Sequence, residues 1–565
     1  MPGEDSSSSQ GLLEHATDAY SDEQIRRFKA DGWWQDTLLI DDLRVNVRSR
    51  PDADAVVDRF RRVTWAQLDR RVERLATALV DLGLAPGEFV AIQLPNWIEF
   101  VEVYLAVQRA GLRPLTLMPI YRAHDVSYML NKCHARAYVV ASKYRSTDFT
   151  VMAEHVRRAV PSLAHVLVAG DPGPGQLRLQ DLDADPRTAD LDARRPDPDS
   201  LSRLAFTSGT TALPKAVAHT HNTDRVSPQW LRMTLGLSPD TPIWMPSPIS
   251  HVTGLLFGLY TSVLCGAKLI LQDIWEPRAA LDLISAEGAA FTLSATPFIA
   301  AMVEEGRSNG VPPHRLRYFC CGGAPVPEDL VRDARSELGI NVLRVFGVSE
   351  APLNTMSYVG DSWQRLVSRD GRPMPGCSVK IVDQDNRSST LGPSEVGEYA
   401  TRGPHVFLGY YGDPERTHES RDRDGWYYSG DLCCLDEDGY VRYVDRIKDI
   451  INRGGVKISA LEVENLMAEH PLVERAAVVA VPDSRLGEHA LAFVVPKHGQ
   501  SLSLSQLCEF LEQQGITRQK WPEEIEFIEE LPTTATGKIQ KAKLRDLLAA
   551  RDLATAAAHE QSGRP

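Results

Sequence analysis

Asp431–Lys457 reads D-L-C-C-L-D-E-D-G-Y-V-R-Y-V-D-R-I-K-D-I-I-N-R-G-G-V-K, and the order of its patterns decides how the chain divides. Apolar and polar residues alternate on both sides of the turn formers Asp436–Gly439, which predicts a hairpin. A charged run, Asp445-Arg446-Ile447-Lys448-Asp449, comes next, and then the glycine pair Gly454-Gly455. Ser459, with Glu462 three residues on, has the spacing of a capping box and starts a new helix. A polar break followed by a fresh, small α/β pattern marks a domain boundary. Residues 19–445 form a large N-terminal domain, 446–448 a hinge and 449–553 a C-terminal cap.

The bulk properties fit that division. A chain of 565 residues exceeds one ordinary domain, and 43% apolar with 24% charged residues is a globular composition. A formal charge of −14 argues against nucleic acid as a partner, because a phosphate backbone needs a basic face. A nucleotide stays open, since one lysine and a row of amides suffice for a triphosphate. Eight cysteines without C-x-x-C spacing predict neither a disulfide framework nor a zinc site, and point to reduced thiols in a cytoplasm. Residues 1–10 are polar and Ser-rich, and the most apolar stretch, Val252–Leu271, is broken by Gly254, Gly258, Gly266 and Lys268. No signal peptide and no membrane insertion are expected. Residues 1–18 and 554–565 are expected to be disordered.

Toward the N-terminus, a helical pattern from Asp22 leads to Trp33-Trp34 as a surface-packed lead-in. Thr64 is a good N-cap for a helix whose Leu68, Val72, Leu75, Leu79 and Leu82 step by three and four. Strands at Phe89–Leu94, Ala137–Ala141 and Val166–Ala169 alternate with helices, one of them from Trp97 to Ala110, which implies a parallel sheet. Asp171–Ser200 is rich in Asp, Pro and Arg and reads as a loop or linker. Beyond Ser459, strands at Ala476–Val481, Leu491–Val495 and Ile525–Ile528 alternate with a helix near Leu504–Gln514. The fold class is therefore α/β: a large multi-subdomain N-terminal body of β-sheets covered by helices, plus a small mobile α/β cap.

Six stretches can carry chemistry. Leu204–Val217, L-A-F-T-S-G-T-T-A-L-P-K-A-V, places hydroxyls and a lysine in a loop between apolar runs, able to wrap phosphates or simply to close a hairpin. It lacks Walker spacing. Ser247–Gly258 is apolar around one histidine, His251, the usual pattern of a satisfied core residue. Arg317–Val326, R-Y-F-C-C-G-G-A-P-V, runs a strand into a Gly-Gly turn, a tight strand end or a place where a planar ligand approaches the backbone. Cys320 and Cys321 there read as buried wall residues, since no basic partner lies nearby. Val345–Ala351, V-F-G-V-S-E-A, read alone, is most often a loop before a helix. Tyr427–Leu432 presents Asp431 after a glycine, and Leu531–Arg545 places four basic residues after a Thr/Gly turn, by default a solvated helix start with Lys541 and Lys543 on the surface.

Taken together and in this order, the stretches resemble the motifs of the adenylate-forming superfamily of acyl-CoA synthetases and aryl-acid–AMP ligases. The resemblance covers residues 60–545 and assigns roles by position. Thr207, Ser208, Gly209, Thr210, Thr211 and Lys215 match the phosphate loop T-S-G-T-T-G-x-P-K-G, with Ala212 and Ala216 standing where the family has glycines. An alanine at a site needing positive φ would strain that loop. Gly322, Gly323, Ala324 and Pro325 match the turn against adenine and one acyl-pocket wall. Phe346, Gly347, Ser349 and Glu350 match Y-G-x-T-E, in which the aromatic stacks on the purine, the hydroxyl meets the α-phosphate and the carboxylate holds Mg²⁺. Asp431 and Arg446 match the ribose-binding pair, although Asp445 replaces the usual glycine. Lys448 matches the hinge and Lys538 the catalytic lysine of P-x-T-x-x-G-K. Gly454, Gly455 and Lys457 lie toward an incoming thiol. His251 borders the acyl pocket with Val252, Cys321, Gly322, Gly323, Val348 and Leu353, and valine at 252, where relatives that activate dihydroxybenzoate have asparagine, disfavours an ortho-hydroxybenzoate.

The resemblance implies an ATP-dependent, AMP-forming ligase with Mg²⁺ and a small-molecule carboxylic acid, transferring the acyl group to coenzyme A. Coenzyme A is the first expectation because no carrier domain is attached; loading a separate carrier protein is the alternative. Activation of another oxyanion, as in diazotases using nitrite, and a nucleotide-binding pseudoenzyme remain open, the latter opposed by Lys538, Glu350 and Asp431.

Overall fold

A computed structural model of the chain describes residues 13–207, 214–324, 326–453, 456–483, 486–497, 502–514, 516–534 and 538–548. Ser208, Gly209, Thr210, Thr211, Ala212, Pro325, Gly454 and Gly455 therefore lie outside the described residues, as does the tail at 554–565. Residues 13–18, expected to be disordered, instead hold a 3-10 turn, Ala16–Asp18, in which Ala16 is fully buried and His15 bridges to Ser200.

The chain forms two compact units: Met1–Val379 with Thr401–Tyr427, and Lys380–Ala400 with Tyr428–Pro565. The boundary expected at 446–448 falls inside the second unit, between its two sheets.

In the first unit Thr64 opens its helix as its residue type predicts: the hydroxyl accepts from Gln67 N at 3.3 Å and Gln67 Oε1 accepts from Thr64 N at 2.9 Å. The helix, Trp65–Asp81, buries Leu68, Val72, Leu75 and Leu79 at 0–1% exposure, and Leu82 becomes its C-cap. An eight-stranded sheet runs Gly409–Tyr410, Lys215–Thr220, Leu201–Thr207, Arg113–Thr116, Phe89–Gln93, Ala137–Ala141, His165–Ala169, Leu177–Arg178. It is parallel from Leu201–Thr207 onward, and its central strands are buried on both faces, the burial of a helix-covered parallel sheet. A nine-stranded sheet holds Phe291–Ala295, Tyr318–Gly322 and Asn341–Val348 in parallel, with Ala351–Met356 turning back antiparallel.

Two expectations are corrected here. Asp171–Ser200 is largely loop, as expected, but no linker: Leu177–Arg178 pairs with the strand His165–Ala169, and Thr188–Asp192 is helical. Arg194 donates to the carbonyls of Leu84 at 2.6 Å and Ala110 at 2.7 Å, groups at helix ends that lack partners of their own. Trp34 is not surface-packed: it is 1% exposed, sits against Tyr20 and Phe28, and donates to the Pro404 carbonyl at 2.8 Å.

The second unit carries a four-stranded sheet, Ser378–Val382, Gly397–Arg402, Tyr427–Leu435, Val441–Arg446, whose last two strands are the hairpin expected around Asp436–Gly439. Its five-stranded sheet centres on Val473–Asp483 and Gly487–Pro496. The two-residue period sorts the core: Val478 and Val494 meet the helices Ala460–Ala468 and Leu504–Gln513, whereas Val479 and Phe493 meet Leu544 and Leu548 on a helix over residues 541–548. Ser459 does cap Ala460–Ala468, accepting from Glu462 N at 3.1 Å, but the capping box is half made. The Glu462 carboxylate is drawn to Lys520, 2.6 Å away, because an ammonium outcompetes a backbone amide. Lys541 also departs from expectation: it is not a surface residue but pairs at 2.8 Å with Glu464, both side chains about nine-tenths buried.

Arg203, on Leu201–Thr207, and Asp224, on the helix His221–Leu235, form an ion pair at 2.7 Å with 1% and 0% side-chain exposure. Arg203→Met leaves a buried carboxylate without its cation and should cost about 3–5 kcal/mol, read as a lower denaturant midpoint. Arg203→Met/Asp224→Leu, which removes both charges, should recover most of that loss; an equal loss in the double variant would refute the charge argument.

Candidate functional site

The strands Leu201–Thr207 and Lys215–Thr220 form an antiparallel hairpin with Thr207 opposite Lys215, so hydroxyl and ammonium flank the loop between them. Lys215 Nζ stands 4.7 Å from the centroid of the Tyr410 ring. Ala216 lies within its strand, opposite Phe206 and 1% exposed, and is not among the residues with positive φ. The strain expected from alanine at 216 is therefore absent.

Gly322 ends the strand Tyr318–Gly322, and a Cβ there would lie 2.4 Å from the Val345 carbonyl oxygen. The close approach that requires this glycine is thus made by the neighbouring strand. Gly323 follows at φ +80°, and Ala324 is half-buried. Cys321 and Leu353, expected at the acyl pocket, have no exposed surface and line no cavity among the described residues. Burial pushes the Cys321 thiol up to about 12 and the Cys320 thiol up as well, against a nucleophilic role.

Val345–Ala351 is not a loop before a helix. Asn341–Val348 and Ala351–Met356 form a hairpin whose turn is Ser349-Glu350, with Phe346 half-buried on the first strand. Gly347 permits the tight return, since a Cβ there would meet the Pro352 carbonyl oxygen at 2.1 Å. Three bonds hold the turn. His219 Nε2 donates to the Ser349 carbonyl at 2.8 Å, Phe407 N donates to the Glu350 carbonyl at 2.8 Å, and Tyr410 OH donates to Glu350 Oε1 at 2.7 Å. A carbonyl only accepts, so His219 carries its proton on Nε2 and turns Nδ1 to Thr223 Oγ1, 3.1 Å away. Burial first, and then the Arg203 charge, hold the His219 pKa well below its ordinary value. Glu350 is 9% exposed, and no lysine or arginine among the described residues pairs with it. A buried carboxylate with one oxygen engaged and no cationic partner fits a hard divalent cation such as Mg²⁺.

His251 is the N-cap of Val252–Gly254, its Nδ1 accepting from Thr253 N at 3.3 Å. Burial, with a smaller contribution from Arg203, lowers its pKa to about 4, so it is neutral at pH 7. Val252 is 8% exposed, Phe257 3%, and Val348 half-buried. A histidine that could have charged this region does not.

In the second unit Asp431 is 1% exposed on the strand Tyr427–Leu435, following Gly430 at φ +72°. Its Oδ1 accepts from Arg446 Nε at 2.8 Å, while Oδ2 is buried with no partner among the described residues. An orphaned buried carboxylate oxygen is costly, and a pair of ligand hydroxyls would satisfy it. Lys538 remains solvent-exposed as a residue, yet its ammonium is crowded by protein near Arg446, Asp431, Asp449 and Lys541. Loss of hydration first, and then the charges of Arg446 and Lys541, lower its pKa to about 8 against the opposing pull of Asp431 and Asp449. Asp445, at the position of the family glycine, accepts from Ser459 Oγ at 2.7 Å and Leu461 N at 3.0 Å, anchoring the helix Ala460–Ala468. Lys448 sits in a 3-10 turn, Ile447–Asp449, where Asp449 binds Arg545 at 2.7 Å. Lys457 is exposed on Val456–Ser459.

Tyr410, His219 and Arg203 escaped the sequence reading. Their signal was present: an arginine and a histidine stand inside otherwise apolar strand sequences, L-S-R-L-A-F and A-V-A-H-T.

The profile of the AMP-binding enzyme family matches residues 43–411, and that of the AMP-binding enzyme C-terminal domain matches residues 462–538. The medium-chain fatty-acid–CoA ligase of Escherichia coli (strain K12) is 36% identical over 532 residues, covering 93% of each chain. A salicylyl-CoA synthase / salicylate adenylyltransferase of Streptomyces sp is 34% identical, covering 93% of this chain and 96% of its own. The crystal structure of an anthranilate CoA ligase in complex with anthranoyl-AMP superposes with a TM-score of 0.81 at 25% identity, over 92% of this chain and 98% of that one.

Acetylation of Lys538, followed by mass spectrometry across pH, should reach half its limiting rate near pH 8, against 10.5 for an ordinary lysine. Below that pH the ammonium is protonated and protected; above it the free amine reacts. Asp431→Asn removes an attractive charge and should move the midpoint lower still. A midpoint near 10 in the unaltered protein would refute the crowding described here.

Proposed function

The chain belongs to the AMP-binding enzyme family and is an ATP-dependent, AMP-forming ligase that activates an acid; on that premise we propose that the acid is an aromatic, alicyclic or medium-chain carboxylic acid and that the acceptor is coenzyme A. The observation that carries the nucleotide part of this reading is the buried, unpartnered Asp431 Oδ2 beside Arg446, with Lys538 nearby: a demand for hydroxyl donors next to a cation.

In the proposed reaction Asp431 accepts the ribose hydroxyls and Arg446 holds its carboxylate in place. Phe346, Gly347, Gly323, Ala324 and Pro325 take the adenine, Ser349 the α-phosphate, and Thr207–Thr211 with Lys215 the outer phosphates. An oxygen of the substrate carboxylate attacks the α-phosphorus, the bond to the bridging oxygen breaks, and pyrophosphate leaves. Lys538, mostly protonated at pH 7, offsets the charge that builds in that step. Mg²⁺ held by Glu350 would screen the triphosphate charge. The thiol of coenzyme A then displaces AMP from the acyl carbon, with Gly454, Gly455 and Lys457 on the thiol side after rotation about Lys448. Neutral His251, with buried Val252 and Phe257, supports an uncharged body for the acid. The salicylate adenylyltransferase half of one relative's name speaks of adenylate formation alone; loading of a separate carrier protein is the second reading.

Pyrophosphate release should be measured with aromatic, alicyclic, fatty and dicarboxylic acids and with nitrite, each with and without coenzyme A. Acid-dependent release that multiplies with coenzyme A is expected. Release indifferent to coenzyme A would favour a carrier protein, release only with nitrite would move the activity to another oxyanion, and equal turnover of dicarboxylic acids would refute the apolar pocket.

Lys538→Ala should slow adenylate formation by roughly a hundredfold or more while sparing thioester formation from supplied acyl-adenylate. Lys448→Pro should do the reverse. Equal losses in both half-reactions would exclude a two-conformation cycle.

A further inference from the structure

We propose that Tyr410 is a positioning residue that sets the Glu350 carboxylate for its cation and ties it to the lysine end of the phosphate hairpin. The inference rests on the reading of Glu350 as the Mg²⁺ ligand and extends it to a residue outside the motifs that suggested that reading.

The argument begins with placement. Gly409–Tyr410 is the edge strand of the eight-stranded sheet and pairs antiparallel with Lys215–Thr220, bringing Tyr410 opposite Val217, two residues beyond Lys215. Its ring is 3% exposed and packs edge-on against Phe407 at 5.1 Å, which in turn packs against Tyr427 at 5.2 Å. The backbone is pinned as well, Tyr410 N donating to Thr417 Oγ1 at 2.9 Å. The phenol therefore has little freedom, and its hydroxyl is delivered to Glu350 Oε1 at 2.7 Å by a rigid surround.

That bond has two consequences. A carboxylate on a hairpin turn can rotate about its last torsion; with Oε1 held by a fixed donor, the plane of the group and the direction of Oε2 are fixed too. Outer partners of this kind orient metal-binding carboxylates. The face of the same ring also meets Lys215 Nζ at 4.7 Å, so one side chain touches both the proposed cation ligand and the proposed phosphate ligand. Phe407 N and His219 hold the turn by its backbone; Tyr410 alone among these three holds the carboxylate.

The full-length chain is titrated calorimetrically with a non-hydrolysable ATP analogue, with and without Mn²⁺, and the ratio of the two affinities is the readout. Tyr410→Phe keeps the ring, its packing and its contact with Lys215, and removes only the hydroxyl. We expect that ratio to fall roughly ten- to a hundredfold with metal-free nucleotide affinity unchanged, while the melting temperature drops modestly because a buried carboxylate oxygen loses its donor. Glu350→Gln should bring the ratio close to one, and Tyr410→Phe should add nothing in that background. A ratio lowered by Glu350→Gln and unmoved by Tyr410→Phe would overturn the role of Tyr410 alone. A ratio unmoved by Glu350→Gln would overturn the underlying assignment of Glu350. If Tyr410→Phe lowered metal-free binding by the same factor as binding with Mn²⁺, the tyrosine would be a packing residue only, and the proposal would fail.

Discussion

Arg203 and Asp224 meet where no water reaches, and burying either charge alone would cost several kcal/mol. Only a close, doubly bonded geometry offsets that cost, which is what Arg203 Nε and Nη2 make with the two Asp224 oxygens at 2.7–3.0 Å. The constraint propagates because of where the two residues stand. Arg203 lies on the strand Leu201–Thr207 that enters the hairpin with Lys215–Thr220 and Asp224 on the helix that leaves it, so the pair fixes both ends of that unit. Around it Gln108 donates to Ser202 and Tyr260, and Tyr104 and Tyr260 share a bond, completing a dry polar layer between apolar ones.

The same buried cation tunes its neighbours. His219 and His251 are first dehydrated and then repelled by Arg203, and both are held neutral. For His219 neutrality is useful, because a neutral ring with its proton on Nε2 can donate to the Ser349 carbonyl while Nδ1 faces Thr223 Oγ1. For His251 it keeps charge away from Val252 and Phe257. The second unit works by the opposite means. There Asp431 is buried against the partly exposed Arg446, Asp449 pairs with Arg545, and Lys538 lies close enough to feel the charges of Asp431, Arg446 and Asp449. The first unit pairs its buried charges and keeps its histidines neutral, whereas the second holds an ammonium whose pKa follows its neighbours.

Much of this was legible in the sequence. Thr64, the four-leucine-and-valine stripe behind it, the parallel strands and the hairpin around Asp436–Gly439 follow from caps, periods and turn formers, which are local properties. Other readings failed because a tertiary partner outweighed a local rule. Glu462 left its capping box for Lys520, Lys541 left the surface for Glu464, and Asp171–Ser200 is tied down by Arg194, which reaches two carbonyls more than eighty residues away in the chain.

What the sequence by itself determined is the element order, the α/β class and the motif residues Thr207, Lys215, Ser349, Glu350, Asp431, Arg446 and Lys538 as a set. What only the tertiary structure decided is how those residues are supported: Tyr410 on Glu350, His219 on Ser349, Arg203 against Asp224, and the unpartnered oxygen of Asp431. The reason is physical. Caps and periodicity act over a few residues and leave a readable spacing, whereas hydrogen bonds and charges in a dry interior join residues 21, 60 or 130 positions apart, and no spacing records them.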